Sequence, residues 1–169
     1  VSSKWCFKLK ALSDGSLDKF KARLVTRGFT QIKDIDYTDT FAPVAHMASV
    51  RVIMALICLL GMTMDHMDVS TAFLNGNLEE EIYMSVPEGL ILPSRLQGQV
   101  LRLRRGLYGL KQSPRAWNAK INAFLLSLGF TACTFDPCIY IMHLDNGGLF
   151  FVILFVDDLI LATTNENKK

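Results

Sequence analysis

The stretch from Leu149 to Ala162, LFFVILFVDDLILA, constrains the fold more than any other. Two runs rich in aliphatic, β-branched and aromatic residues flank one pair of adjacent carboxylates, Asp157 and Asp158. This pattern predicts a hairpin with strands Leu149 to Val156 and Leu159 to Ala162 and the aspartates at its tight turn. Its 14 residues are too few, and too charged at the centre, for a membrane span. Adjacent carboxylates between apolar runs are costly unless something compensates their charge. The pair therefore reads either as ordinary turn chemistry or as ligands to a divalent metal ion.

At 169 residues and 50% hydrophobic, the chain can build one sizeable core but not two independent domains. It opens at Val1 with no secretory signal pattern and closes on Asn167-Lys168-Lys169 just after a strand pattern. The expectation is a soluble piece of a longer chain, intracellular and not secreted. Cys6, Cys58, Cys133 and Cys138 include no C-x-x-C, so they signal neither a disulfide framework nor a zinc site. The net charge of +2 hides an uneven distribution. Residues 1–33 carry eight Lys or Arg against two acids, 34–94 one against nine, 95–120 seven against none, and 121–169 two against five. Basic segments alternating with acidic ones suit a polyanion-binding protein with a metal centre, although solvated surface faces produce the same tally.

Lys4 to Lys10 alternates, with Trp5, Phe7 and Leu9 on one side and Lys4, Lys8 and Lys10 on the other, which predicts a half-buried strand. The turn Ser13-Asp14-Gly15-Ser16 leads to a second strand in which Lys19, Lys21 and Arg23 alternate with Phe20, Ala22 and Leu24. The resulting hairpin has one apolar and one basic face, and the basic face suits a triphosphate or a nucleic-acid backbone. Residues 28–47 read as a connecting loop and Ser49 to Leu60 as a buried helix capped by Gly61. A strand from Met62 to Val69 carries Asp68 near its end. If it lies beside the Asp157-Asp158 hairpin, three carboxylates meet. Further strands are predicted at Glu80 to Val86, Val100 to Leu103 and Cys138 to Leu144. A helix runs from Pro114 to about Leu128, with Ser113 as its N-cap and Gly129 as its stop. The predicted class is α+β, a mostly antiparallel sheet with helices packed on one face. His46, His66 and His143 show no ligand spacing.

Six segments in series carry a family resemblance: KARLVTRGFTQ at 21–31, DYTDTFAPVA at 36–45, MDVSTAFLNG at 67–76, EEEIYMSVPEG at 79–89, RGLYGLKQSPRAWN at 105–118 and FVDD at 155–158. In this order and spacing they resemble the reverse transcriptase of Ty1/copia-type LTR retrotransposons. The resemblance implies a right-handed polymerase fold, with fingers at 1–47 and palm with fingers insertions at 48–169, and neither thumb nor RNase H within the chain. It also implies RNA-directed DNA synthesis on an RNA or DNA template with primer and dNTPs, in a retrotransposon particle in the cytoplasm or in the nucleus. The thumb, RNase H and integrase would lie elsewhere in the Pol polyprotein, and no membrane is involved. An inactive relic that folds and binds nucleic acid, and a metal-dependent phosphodiester hydrolase, are the competing readings.

Residue by residue, the resemblance makes Asp68, Asp157 and Asp158 catalytic, with the Val69 carbonyl as a further ligand to Mg²⁺ or, as a substitute, Mn²⁺. Two such ions about 3.5 to 4 Å apart would serve nucleotidyl transfer. Lys21 and Arg23 would hold the triphosphate, Phe73 would pack against the sugar, and Tyr108, Gly109 and Lys111 would lie under nucleotide and template. The sequence departs from the family in having Phe155 where tyrosine is usual, and Ser70 and His46 where lysine is frequent.

Overall fold

In the computed structural model, residues 1–164 are described. The end of the chain at Asn167-Lys168-Lys169 lies outside them. Eleven helices and strands follow in order: β1 (Ser3–Ala11), β2 (Leu17–Thr26), α1 (Met47–Leu59), β3 (Thr63–Asp68), β4 (Asn77–Met84), β5 (Leu101–Arg105), α2 (Ser113–Ser127), β6 (Thr131–Ala132), β7 (Ile139–His143), β8 (Leu149–Phe155) and β9 (Asp158–Thr163). Short 3-10 turns lie at Gly28–Thr30, Ala72–Asn75 and Ser94–Leu96. These strands pair antiparallel in three sheets: β1-β2, β4-β5, and a five-stranded sheet in the order β3-β9-β8-β7-β6. The class is α+β, as expected. Among the described residues no helix is long and apolar enough to cross a membrane.

The core is built on β8, where Phe150 through Leu154 are all buried. Consecutive strand residues point to opposite faces, so the central strand is covered on both. Helix α2 covers the face shared by Tyr140, Val152 and Leu161. There the Tyr140 hydroxyl donates to Asn122 Oδ1 at 3.1 Å, and Phe130 meets Phe150 edge-on with centroids 5.2 Å apart. Ile139 and Ile153, on the other face, are equally buried. Both faces of the sheet are therefore covered. Each such aliphatic side chain contributes about 1.5–3 kcal/mol by leaving water.

Three local expectations need correction. Helix α1 is not buried all round: Ile53 and Ile57 face the core, while Val52 and Leu59 are exposed, because only one stripe of the helix meets another element. Its glycine cap is present, with Gly61 at φ +60 and the Met62 amide donating to the Ile57 carbonyl. The β1-β2 hairpin has the predicted two faces, but its apolar face is not packed, and Phe7, Leu9 and Phe20 are exposed. Ser113 is not an N-cap but the first residue of α2; its hydroxyl donates to the Leu107 carbonyl and accepts from the Leu107 amide.

One buried carboxylate ties α1 to the sheet. Asp136 accepts from the amide of His46, the N-cap residue of α1, at 2.8 Å and from the Cys138 amide at 3.1 Å. An anion at this end also complements the helix dipole.

Candidate active site

The β8-β9 hairpin forms where the sequence places it, but its turn differs. Phe155 pairs with Asp158, so the two central residues are Val156 and Asp157, and Asp158 is the first residue of β9. Val156 has φ 59 and Asp157 does not share the positive sign, the pattern of a type II′ turn, whose twist suits a hairpin. For a β-branched residue that conformation is strained. Two donors from elsewhere meet this turn: the Trp117 indole N–H reaches the Val156 carbonyl at 2.6 Å, and the Val69 amide reaches the Asp157 carbonyl at 2.8 Å.

Strand β3 lies beside β9, with Asp68 directly opposite Asp158. Directly opposed residues project to the same face, so two carboxylates share one rung at the sheet's end, an arrangement unfavourable to the fold itself. His66, diagonal to this rung, approaches Asp158 Oδ1 with Nε2 at 2.9 Å. The carboxylates are not enclosed by apolar surroundings, since the Asp158 side chain is 45% exposed. Desolvation therefore does not demand a counter-ion, and the cost inferred from the flanking apolar runs is relieved by their position at the open end of the strands. Among the described residues, no three His, Cys, Asp or Glu side chains stand grouped to hold a metal ion.

The basic face of the β1-β2 hairpin aligns Cys6 with Arg23, Lys8 with Lys21 and Lys10 with Lys19. The neighbouring charges of Arg23 and Lys10 lower the Lys21 pKa, with Asp68 pulling the other way. The Arg23 guanidinium stacks 4.3 Å from the centroid of the Tyr108 ring, and Tyr108 in turn meets Phe73 at 4.9 Å. Three of the predicted nucleotide-binding residues thus form one contact chain.

Two others do not join it. The Lys111 ammonium donates to the Tyr37 hydroxyl at 3.1 Å and lies against that ring, which directs it to the connecting segment. Gly109, at φ +94, permits a close backbone approach, but of a different partner: a Cβ there would collide with the Thr26 carbonyl oxygen. The approach belongs to the seam between β2 and the 107–112 loop, where the Thr26 amide donates to the Tyr108 carbonyl at 2.8 Å.

That seam was not legible as a site. Gln31 Nε2 donates to Gln112 Oε1 at 3.0 Å, Gln31 Oε1 accepts from the Lys111 amide at 2.8 Å, and Gln112 Nε2 donates to the Asp36 carbonyl at 2.8 Å. Both glutamines are buried. Their only sequence signal is membership of two of the six family-like segments. Sequence pattern likewise gives neither His66 nor Trp117 a role at the aspartates, where the structure brings both.

The reverse transcriptase (RNA-dependent DNA polymerase) family matches residues 1–168. The chain is 42% identical over 96% of its length to the retrovirus-related Pol polyprotein from transposon TNT 1-94 of Nicotiana tabacum, spanning 12% of that protein. It is 38% identical over 98% of its length to the corresponding polyprotein from transposon RE2 of Arabidopsis thaliana, covering 11% of it. Against the transposon Ty1-H Gag-Pol polyprotein of Saccharomyces cerevisiae it is 32% identical over 88% of its length, covering 8% of that protein. No solved structure matches. With its aspartates on one rung of the sheet and similarity along nearly its whole length, the chain belongs to the reverse transcriptase family, in the branch of Ty1/copia-type Pol polyproteins.

Proposed function

We propose that this chain is the catalytic core of an RNA-directed DNA polymerase that joins a primer 3′-hydroxyl to the α-phosphate of a deoxynucleoside triphosphate. In this reading residues 1–47 serve as fingers and 48–169 as palm of a right-handed polymerase. Template and primer, dNTPs and the remaining parts of a Pol polyprotein (thumb, RNase H, integrase) are its partners in an intracellular setting, a cytoplasmic particle or the nucleus.

The observation that carries the reading is the Asp68–Asp158 rung, adjoining the Asp157 turn. A like-charged rung weakens the fold, and such a feature persists where function requires it. The donor chemistry fits magnesium, which prefers hard oxygen ligands. Asp68, Asp157 and Asp158, with the Val69 carbonyl, are the ligands this reading assigns, and the three carboxylates would have to draw together around the ions, since they do not stand grouped without them. Bound there, two divalent ions would activate the attacking oxygen and steady the leaving one. Lys21 and Arg23 would neutralise the triphosphate, Arg23 by bidentate contact once it leaves Tyr108. Phe73, positioned by Tyr108, would pack against the sugar and disfavour a 2′-hydroxyl.

The test compares thermal melts of wild type and Asp157→Asn with and without Mn²⁺ plus a dNTP, since a ligand that binds only the folded state raises its stability. A metal-dependent rise in wild type alone supports the reading, and Asp157→Asn should melt no lower than wild type without metal. An equal rise in both proteins removes Asp157 as a ligand. No rise in a cooperatively melting wild type favours the folded relic.

A further inference from the structure

We propose that Trp117 is a positioning residue for Asp157, acting through the backbone of the turn; the inference rests on the polymerase reading above. Asp157 sits between two peptide groups, and each is held by a donor from a different element. The Val156 carbonyl, in the peptide before Asp157, accepts the Trp117 indole N–H at 2.6 Å, and the Asp157 carbonyl, in the peptide after it, accepts the Val69 amide at 2.8 Å. Fixing both flanking peptide planes fixes the direction in which the Asp157 side chain leaves the backbone.

The need for the indole follows from Val156. A β-branched residue at φ 59 has no intrinsic preference for the turn it occupies, so something outside the hairpin must hold it there. Trp117 can do so because it is itself fixed, 5% exposed on the long helix that packs against the sheet. Beside it opens a cavity of about 570 Å³ lined by Val69, Trp117, Ile121, Phe124 and Leu159. That space lets a shorter aromatic ring withdraw without filling the donor's place. Trp117 touches neither substrate nor reacting atoms in this scheme. It acts on ligand geometry, as outer-shell partners of metal ligands do.

The test uses the whole chain and two replacements of Trp117: Trp117→Phe, and β-(3-benzothienyl)alanine at 117, which keeps the indole's shape and lacks its N–H. Mn²⁺ binding in the presence of a dNTP is followed by the EPR signal of free Mn²⁺, alongside urea melts without metal. Both replacements should weaken Mn²⁺ binding about 10-fold or more, the benzothienyl form with little change in packing. In a Val156→Gly background the loss should shrink, because glycine adopts positive φ unaided. Wild-type Mn²⁺ affinity in the folded benzothienyl protein would overturn the proposal, as would a loss of the same size in the Val156→Gly background. A wild type that binds no Mn²⁺ overturns the polymerase reading instead.

Discussion

Gly109 and Gly129 share the same backbone angle, φ +94, yet only Gly109 lacks room for a side chain. At Gly129, past the end of α2, a Cβ would meet nothing within 4 Å, so Gly129→Ala should cost only the left-handed conformation, about 1 kcal/mol. At Gly109 the Cβ would collide with backbone, the Thr26 carbonyl oxygen, which cannot swing aside. Gly109→Ala should therefore cost at least about 2 kcal/mol, and urea melts of the two variants check the order. Asp136 yields a prediction of pH dependence. Burial pushes its pKa up, but hydrogen bonds from the His46 amide, Ser49 and the Cys138 amide outweigh that, so the carboxyl titrates below its ordinary 3.8. A depressed folded-state pKa gives stability that is present above the unfolded value and is lost as pH falls through the folded one. Asp136→Asn should thus be less stable than wild type at pH 7, and the gap should narrow below about pH 4, read from melts across pH.

At the scale of elements, the two-stranded hairpin and the five-stranded sheet are joined through a polar seam. The buried Gln31–Gln112 pair, the Thr26–Tyr108 bonds and the Arg23–Tyr108–Phe73 stack connect β2 and its following segment to the loop before α2. A buried amide that loses its partner costs about 1–3 kcal/mol. Gln31→Leu should therefore destabilise the chain by that amount, and hydrogen exchange at the Lys111 amide, which Gln31 accepts, should speed up more than exchange at β8 amides. The strands and helices themselves were readable from period and punctuation: β8 and β9 from their apolar runs, α1 and α2 from the glycines that end them. The two-residue β6 carries too little pattern to be seen. The exposure of Trp5, Phe7 and Phe20 was equally hidden, because alternation announces two unlike faces without saying whether another element covers either one.

For the whole molecule, the chain spans about an eighth or less of the three Pol polyproteins named above, and the activity proposed for it is that of one segment of such a polyprotein. The sequence by itself determined the family, the basic face of the hairpin and most element positions, because these rest on residue identity and on contacts within a few residues of chain. Only the tertiary structure decided that Asp68 faces Asp158, that His66 approaches Asp158, that Lys111 turns to Tyr37, and that Trp117 donates to the turn beside Asp157. Each of these joins residues about 40 to 90 positions apart, where strand register and helix placement are set by how the apolar faces pack together, and no local pattern carries that information.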